Sequence, residues 1–501
     1  MGEFRFAGLS FSSRRGCAAR QCLGEENSVQ QAPDTEDSPR VIGATGALSI
    51  VVGSMLGIGI FLMPALVASH VGSLTGFFAV WLFGGAVALA GGSVYAALGS
   101  LFPRAGGDYV FLRESFGPSI SFSASLLLFF GVFVGSIATT AVPLFEFQFA
   151  EIASHSGLDI SSDPIFPHLA WSPSWRSLGA ISLIGALTII NAVGTTLSSR
   201  VQVLLTVVPF AFLFLGALYA VFSGDRWSAP VSPVHLTRSD SMAGYVQAAS
   251  AVYFAYSGWN AVAYVGGEIK DPKRNIPFSL IVGTLVITLL YLLMCAGFVS
   301  VIGIDGLRST SEAGTAVSAA LFGDGSRMLM AALIATALIG SLNGCVLAGA
   351  RVAAAAAADG LAPRWLAKFD PKLGTPVRAL VVQFFAASIL VLSGRFADLV
   401  ALTSLAMMLL GSLSVIGLFR LLRRPEQDRT GLVLIGFPWL PIAYLATSLI
   451  VVVSSLYQST TNTDAGLAQR LLPMLGLLLF AGAWGGHALL ELLRARAASK
   501  A

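Results

Sequence analysis

The chain has 501 residues, 55% hydrophobic and only 11% charged, with a mean hydropathy of +0.79. A soluble domain carries roughly 25% charge, so a soluble globular protein is excluded, and a net charge of +4 gives no reason to invoke nucleic acid. The length accommodates an all-α membrane protein of about 12 transmembrane helices. A β-barrel would need segments of about 10 residues of alternating polarity. The four cysteines, Cys17, Cys22, Cys295 and Cys345, follow no metal or disulfide spacing.

Residues 1–40 are polar, with Arg5, Arg14, Arg15 and Arg20 followed by an acidic patch at 25–37. The first part vaguely resembles a transit peptide, and it lacks the apolar core of a secretory signal. A disordered cytoplasmic tail is the expectation. Apolar spans follow at 41–67, 74–101, 119–146, 176–195, 201–222, 243–266, 277–302, 327–352, 377–394, 398–420, 432–457 and 470–493. With the N-terminus inside, 23 of the 30 Lys and Arg fall on the inner side. The outer 7 are Arg176, Arg226, Arg238, Arg308, Arg327, Arg395 and Arg470. That bias places both termini in the cytoplasm.

Two spans are interrupted. The first reads VVGSMLGIGIFLMP at 51–64, with Gly53, Gly57 and Gly59 near its middle. In a bilayer the backbone groups freed by such a break must face protein or a wet cavity. They therefore either hold a polar ligand or permit close helix packing, since Gly53 and Gly57 also form a GxxxG pair. The sixth span is interrupted at Ser257, Gly258, Trp259 and Asn260. Breaks five helices apart start on opposite sides of the membrane, as a five-plus-five inverted repeat requires. The repeats are expected at 41–222 and 243–420, with two additional helices at 432–493.

A half-helix starting near Ile58 would offer free amides and a positive end to an anion. Carbonyls left over near Met55, Phe254 and Ser257 would suit a cation. A ligand carrying both groups is a zwitterionic amino acid. Phe254 is either a lid over that ligand or a packing aromatic, and Tyr256 and Trp259 receive no role. The charged residues near spans, Glu146, Arg200, Glu268, Arg351 and Asp398, sit at span ends or in loops, so no buried carboxylate is expected as a proton relay. Ser341, Asn343 and Thr206 are polar inside spans and read equally as site groups or helix–helix glue. The segment 103–118 is expected to hold a short surface helix, as a gate or a plain connector. EIKDPKRNIP at 268–277 is explained mostly by positive-inside charge. There is no Ser/His/Asp nucleophile set, phosphate loop or zinc pattern, which argues against an enzyme, with no catalytic or metal residues and no cofactor.

Four blocks carry a family resemblance: GSMLGIGIFLMP at 53–64, PRAGGDYVFLRESFGP at 103–118, FAYSGWNAVAYVGGEIKDPKRNIP at 254–277 and GSLNGCVLAGARVAAAAAADGLAPRWLAKFDPKLGTP at 340–376. With these the chain resembles the amino acid–polyamine–organocation (APC) superfamily transporters, most of all the L-type amino acid transporter branch and its bacterial relatives. The resemblance implies a leucine-transporter-type fold with helices 1 and 6 unwound around an α-amino acid. By position, Met55, Gly57, Ile58, Gly59, Phe254, Ser257 and Gly258 would bind substrate. The amides of Ile58 and Gly59 would hold the carboxylate. The carbonyls of Met55, Phe254 and Ser257 would hold the ammonium, and Phe254 would be the gate. The chain departs from the family at three places. Ile58 stands where a small residue is common, and Pro209 where several relatives carry a coupling lysine. The stretch 147–175 has no cysteine to bond a heavy subunit.

The implied activity is secondary-active transport by alternating access at the plasma membrane, or the inner membrane of a bacterium, with membrane lipid and a small amino acid as partners. Exchange of neutral amino acids is the first expectation. Proton-coupled symport is the alternative, and a non-transporting membrane sensor is the rival from another class.

Overall fold

The computed structural model describes residues 40–155, 173–225, 242–393, 396–424, 432–461 and 467–498, with 157, 160, 163 and 165 in between. The expected tail, with Cys17 and Cys22, lies outside the described residues, as does the side chain of Asp398. Among the described residues the fold is all-helical apart from two isolated β-bridges.

Helices occupy every stretch expected to be apolar. In chain order they begin with α1 (Ala44–Met55), α2 (Gly59–His70), α3 (Leu74–Leu101), the short α4 (Asp108–Phe116) and α5 (Pro118–His155). Then come α6 (Trp175–Val193), α7 (Thr195–Ser223), α8 (Met242–Ala255) and the single turn α9 (Ala261–Tyr264). The rest are α10 (Pro272–Arg308), α11 (Ala313–Phe322), α12 (Ser326–Ala358), α13 (Val377–Ser393), α14 (Phe396–Leu422), α15 (Trp439–Thr461) and α16 (Leu467–Ala498). Among the described residues eight helices are long and apolar enough to cross a membrane, or nine if α1 and α2, bent by 40°, form one span. Caps appear where the sequence supplies them. Ser73 Oγ accepts the Gly76 amide at 3.0 Å, and Ser174 with Ser177 forms a reciprocal box at the start of α6.

The first interruption is narrower than the glycine pattern suggests. It covers only residues 56–58, and Gly53 lies inside α1. A Cβ at Gly53 would meet Thr206 Oγ1 at 2.2 Å and Gln202 Nε2 at 2.3 Å, so this glycine serves helix packing. α1 packs between α10, α7 and α12, and α2 lies along α8.

Loops close one end of the bundle. Ile42 donates its amide to the Glu268 carbonyl at 2.9 Å and accepts from Lys270 at 2.8 Å, while Gly106 donates to the Tyr264 carbonyl at 3.0 Å. The segment before α1 is thus stitched to the chain after α9, and the segment before α4 to the end of α9. At the opposite end Arg308 donates to the carbonyls of Ala68 at 2.9 Å and Val71 at 3.0 Å, satisfying carbonyls that the end of α2 leaves free.

Two sequence expectations need correction. The helix in 103–118 is present but is not a surface helix: Asp108, Tyr109, Val110, Phe111, Leu112 and Ser115 are buried, and α4 packs on α14. Glu268 and Arg351 are not loop charges. They form a pair buried to 1% and 0% exposure, with Nε to Oε1 at 2.5 Å and Nη2 to Oε2 at 3.0 Å. Arg351 also donates to the Leu347 carbonyl at 2.6 Å and to Thr195 Oγ1 at 3.1 Å. Periodicity cannot reveal that a polar connection folds back among helices.

Removing one partner of a buried pair strands the other charge. Glu268→Ala is expected to destabilise the detergent-solubilised protein by about 3–5 kcal/mol, with most of the loss recovered in the double variant Glu268→Leu, Arg351→Met. Thermal unfolding checks this, and a double variant no more stable than the single one contradicts it.

Candidate functional site

The two interruptions meet at their backbones. A Cβ on Gly59 would stand 2.4 Å from the Ala255 Cα, and one on Gly258 would stand 2.6 Å from the Ser54 carbonyl oxygen. Gly258 also has φ +99°, a conformation that side chains strain. Glycine at these two positions lets each broken helix sit against the other's turn.

Between the breaks lies a cavity of about 60 Å³, room for about two waters by volume. All seven residues expected from sequence line it: Met55, Gly57, Ile58, Gly59, Phe254, Ser257 and Gly258. The remaining wall comes from Ser136, Thr139 and Thr140 of α5, Asn260 of the second break, Tyr264 of α9, Ser341, Gly344 and Cys345 of α12, and Met407 of α14, among others. None of the lining residues carries a charge.

The backbone groups are unevenly available. Ile58 precedes the first residue of α2, and among the described residues neither its amide nor that of Gly59 has an acceptor, as expected for the first N–H groups of a helix. The Met55 carbonyl is occupied: it accepts from the Gly57 amide at 2.7 Å and from Tyr291 Oη at 2.5 Å, which uses both lone pairs. The Phe254 carbonyl accepts one bond, from the Ser257 amide at 3.0 Å. The Ser257 carbonyl accepts none among the described residues. Phe254 is half-buried against the cavity. Tyr256 and Trp259 pack instead, Tyr256 on Trp81 and Tyr291, and Trp259 on Tyr95 and Tyr444.

The polar residues inside spans divide. Ser341 lines the cavity and donates to the Ser54 carbonyl at 3.2 Å. Asn343 and Thr206 belong to a buried chain behind it. Asn191 Nδ2 donates to Asn343 Oδ1 at 2.8 Å, Asn343 Nδ2 to Gln202 Oε1 at 2.8 Å, Gln202 Nε2 to Thr206 Oγ1 at 3.2 Å, and Thr206 Oγ1 to the Ser49 carbonyl at 3.2 Å. This chain ties α6, α12, α7 and α1 together beside the buried Pro209.

Sequence reasoning did not single out the hydroxyl stripe Ser136, Thr139 and Thr140. Its i, i+3, i+4 spacing on one helix face was the available signal. Nor did it find Asp108. That carboxyl is 1% exposed and accepts hydrogen bonds from Tyr95 Oη, Tyr264 Oη and Ser414 Oγ. The expectation that no buried carboxylate is available is therefore corrected: Asp108 reads as a loop residue but leads a helix that enters the bundle.

The glycines separate by experiment. A Cβ at Gly57 meets nothing closer than Ser341 Oγ at 3.5 Å. Gly57→Ala is expected to change stability by less than about 0.5 kcal/mol, and Gly59→Ala and Gly258→Ala to cost about 1–3 kcal/mol each. Thermal unfolding of the three variants decides; equal stability of all three contradicts the close approach.

The sequence profile described as amino acid permease matches residues 42–480. The serine/threonine exchanger SteT of Bacillus subtilis (strain 168) is 26% identical over 459 residues, covering 89% of this chain and 98% of the relative. The Asc-type amino acid transporter 1 of Mus musculus is 26% identical over 393 residues, covering 77% and 72%. The large neutral amino acids transporter small subunit 2 of Homo sapiens is 26% identical over 433 residues, covering 85% and 78%. With the profile spanning most of its length, the chain belongs to the amino acid permease family of the APC superfamily, with relatives in the L-type branch.

Proposed function

We propose that the chain is a secondary-active amino acid transporter that exchanges neutral amino acids by alternating access. The observation that carries this reading is the pair of unpaired amides, Ile58 and Gly59, opening into an uncharged cavity between two broken helices. They would take the substrate carboxylate at the positive end of α2. The Ser257 and Phe254 carbonyls would take the ammonium, with the Met55 carbonyl held by Tyr291. Gly57 and Gly258 would shape the floor, and Phe254 would close over the ligand. A cavity without a charged lining residue suits a neutral side chain, and the relatives named as a serine/threonine exchanger and as a large neutral amino acids transporter subunit agree with transport of neutral amino acids.

The architecture we propose around this site is the leucine-transporter type. It has about 12 spans, repeats at 41–222 and 243–420, two additional helices at 432–493, and a cytoplasmic tail at 1–40. Both termini face the cytoplasm by the Lys and Arg bias, which puts the Glu268 end of the bundle inside. The protein would sit in the plasma membrane, or the inner membrane if bacterial. With no cysteine in 147–175, no disulfide-linked heavy subunit is expected.

Uptake of labelled amino acids into proteoliposomes tests this. Neutral amino acids are expected to enter only when unlabelled amino acid is trapped inside, with charged ones at least about tenfold slower. Gly57→Ala, folded but narrowed, is expected to lose at least about 90% of the flux. Binding without flux above empty liposomes would replace the transporter with a sensor.

A further inference from the structure

We propose that Asp108 is a proton-binding site that controls opening of the Glu268 end of the bundle, with Tyr264 linking it to the amino acid cavity. The proposal rests on the transport reading above.

The geometry is a latch. Asp108 sits at the first position of α4, and its three hydrogen-bond donors come from three other elements: Tyr95 from α3, Tyr264 from α9 and Ser414 from α14, the last at 2.5 Å. One carboxyl therefore joins α4 to the short inner piece of the second broken helix. The groups facing it are hydroxyls. Beyond its three partners, Tyr444 of α15 stands in electrostatic range, and so does Tyr253 of α8, the two hydroxyls lying 3.0 Å apart. No Lys, Arg or His bonds to Asp108 among the described residues. The charges on its own helix are engaged elsewhere, Arg113 with Asp359 at 3.8 Å and Glu114 with Arg104. The other buried acids are also committed. Glu268 holds Arg351, and Glu312 caps α11 through the amides of Gly314 at 2.6 Å and Thr315 at 3.0 Å.

A buried carboxylate without a cation is the group most ready to take a proton. Burial pushes the Asp108 carboxyl above the usual carboxylate range, with the three hydroxyls acting in the opposite direction. A route for the proton exists. Tyr264 lines the cavity beside Asn260, whose Nδ2 donates to Tyr264 Oη at 3.0 Å. A phenol is both donor and acceptor. Its oxygen would take a proton from a hydronium reaching the cavity from solution, leaving neutral water, as its own proton passes to Asp108 Oδ2; the net change is one proton taken from solution and one negative charge lost at Asp108.

Protonation changes what the latch holds. The carboxylate accepts three charge-assisted bonds, which are shorter and stronger than neutral ones. The neutral acid must donate one proton and accept weaker bonds in return. Opening this end would move α9 away from α4 and strip the Tyr264 bond from Asp108, leaving an ionised carboxylate with only Tyr95 and Ser414 to compensate its buried charge. The proton removes that penalty. A falling pH therefore releases the latch, and a rising pH sets it.

The test is amino acid exchange by the reconstituted full-length protein at equal pH on both sides, from about pH 5 to pH 8, using the amino acid that the unaltered protein carries fastest. Its rate is expected to fall by up to about tenfold per pH unit above the Asp108 midpoint, as for any single-proton requirement. Asp108→Asn, a neutral isostere, is expected to exchange at a rate independent of pH over that range. Tyr95→Phe and Ser414→Ala lie outside the cavity lining and each remove one donor to the charged form. Each is expected to move the midpoint to higher pH, which keeps the proposal testable if Asp108→Asn fails to fold. A flat profile in the unaltered protein, an unaltered profile in folded Asp108→Asn, or an unmoved midpoint in both hydroxyl variants overturns the proposal alone. Absence of exchange at every pH overturns the transport reading and the proposal together.

Discussion

The structure depends on two backbone contacts. Gly59 lets the start of α2 lie against Ala255, and Gly258 lets the second break lie against Ser54. Every other feature of the site follows from that approach. Once the two helices cross at their breaks, the N–H groups that start α2 and the carbonyls that end α8 point into common space. Neither set can be satisfied by its own helix. In a bilayer such groups are tolerable only where protein or a cavity receives them, and here α5, α12 and α14 complete the wall. Tyr291 of α10 stands at the last carbonyls of both half-helices, its single hydroxyl proton donated to the Met55 carbonyl at 2.5 Å with the Ala255 carbonyl at 3.2 Å as the alternative acceptor.

Around that crossing, buried polar groups act as ties. The amide chain from Asn191 to Ser49 spans four helices. The Glu268–Arg351 pair joins the chain after α9 to α12, and Asp108 joins α4, α3, α9 and α14. All are costly to leave unpaired away from water, so each specifies one arrangement of its helices. The ties also differ in kind. An amide chain does not titrate, and an Arg–Glu pair compensates its own charge. Asp108 has only hydroxyls, and its charge state is open to change.

Much of the helical layout was legible in the chain. Apolar runs mark where each helix lies, because bilayer-length segments of low charge have few alternatives. The interruptions at 56–58 and 256–260 were legible because glycines and polar residues cluster where an apolar helix has no use for them. The seven expected site residues consequently all line the cavity. Other residues left no such mark. The hydroxyls of Ser136, Thr139 and Thr140 are ordinary helix residues until a neighbour is known. Asp108, Glu268 and Arg351 read as loop charges, since hydropathy describes a segment's own composition and not what folds over it.

The sequence by itself determined that the chain is helical and membrane-embedded, which two segments break, and which backbone groups the breaks release. These are local consequences of hydrophobicity, glycine and chain length. Only the tertiary structure decided which glycines serve packing and which serve the site, that the Met55 carbonyl is already occupied, and that a loop carboxyl ends buried among hydroxyls. Those outcomes depend on contacts between residues far apart in the chain, such as Asp108 with Ser414 and Gly258 with Ser54. In uniformly apolar helices no periodicity encodes which face meets which neighbour.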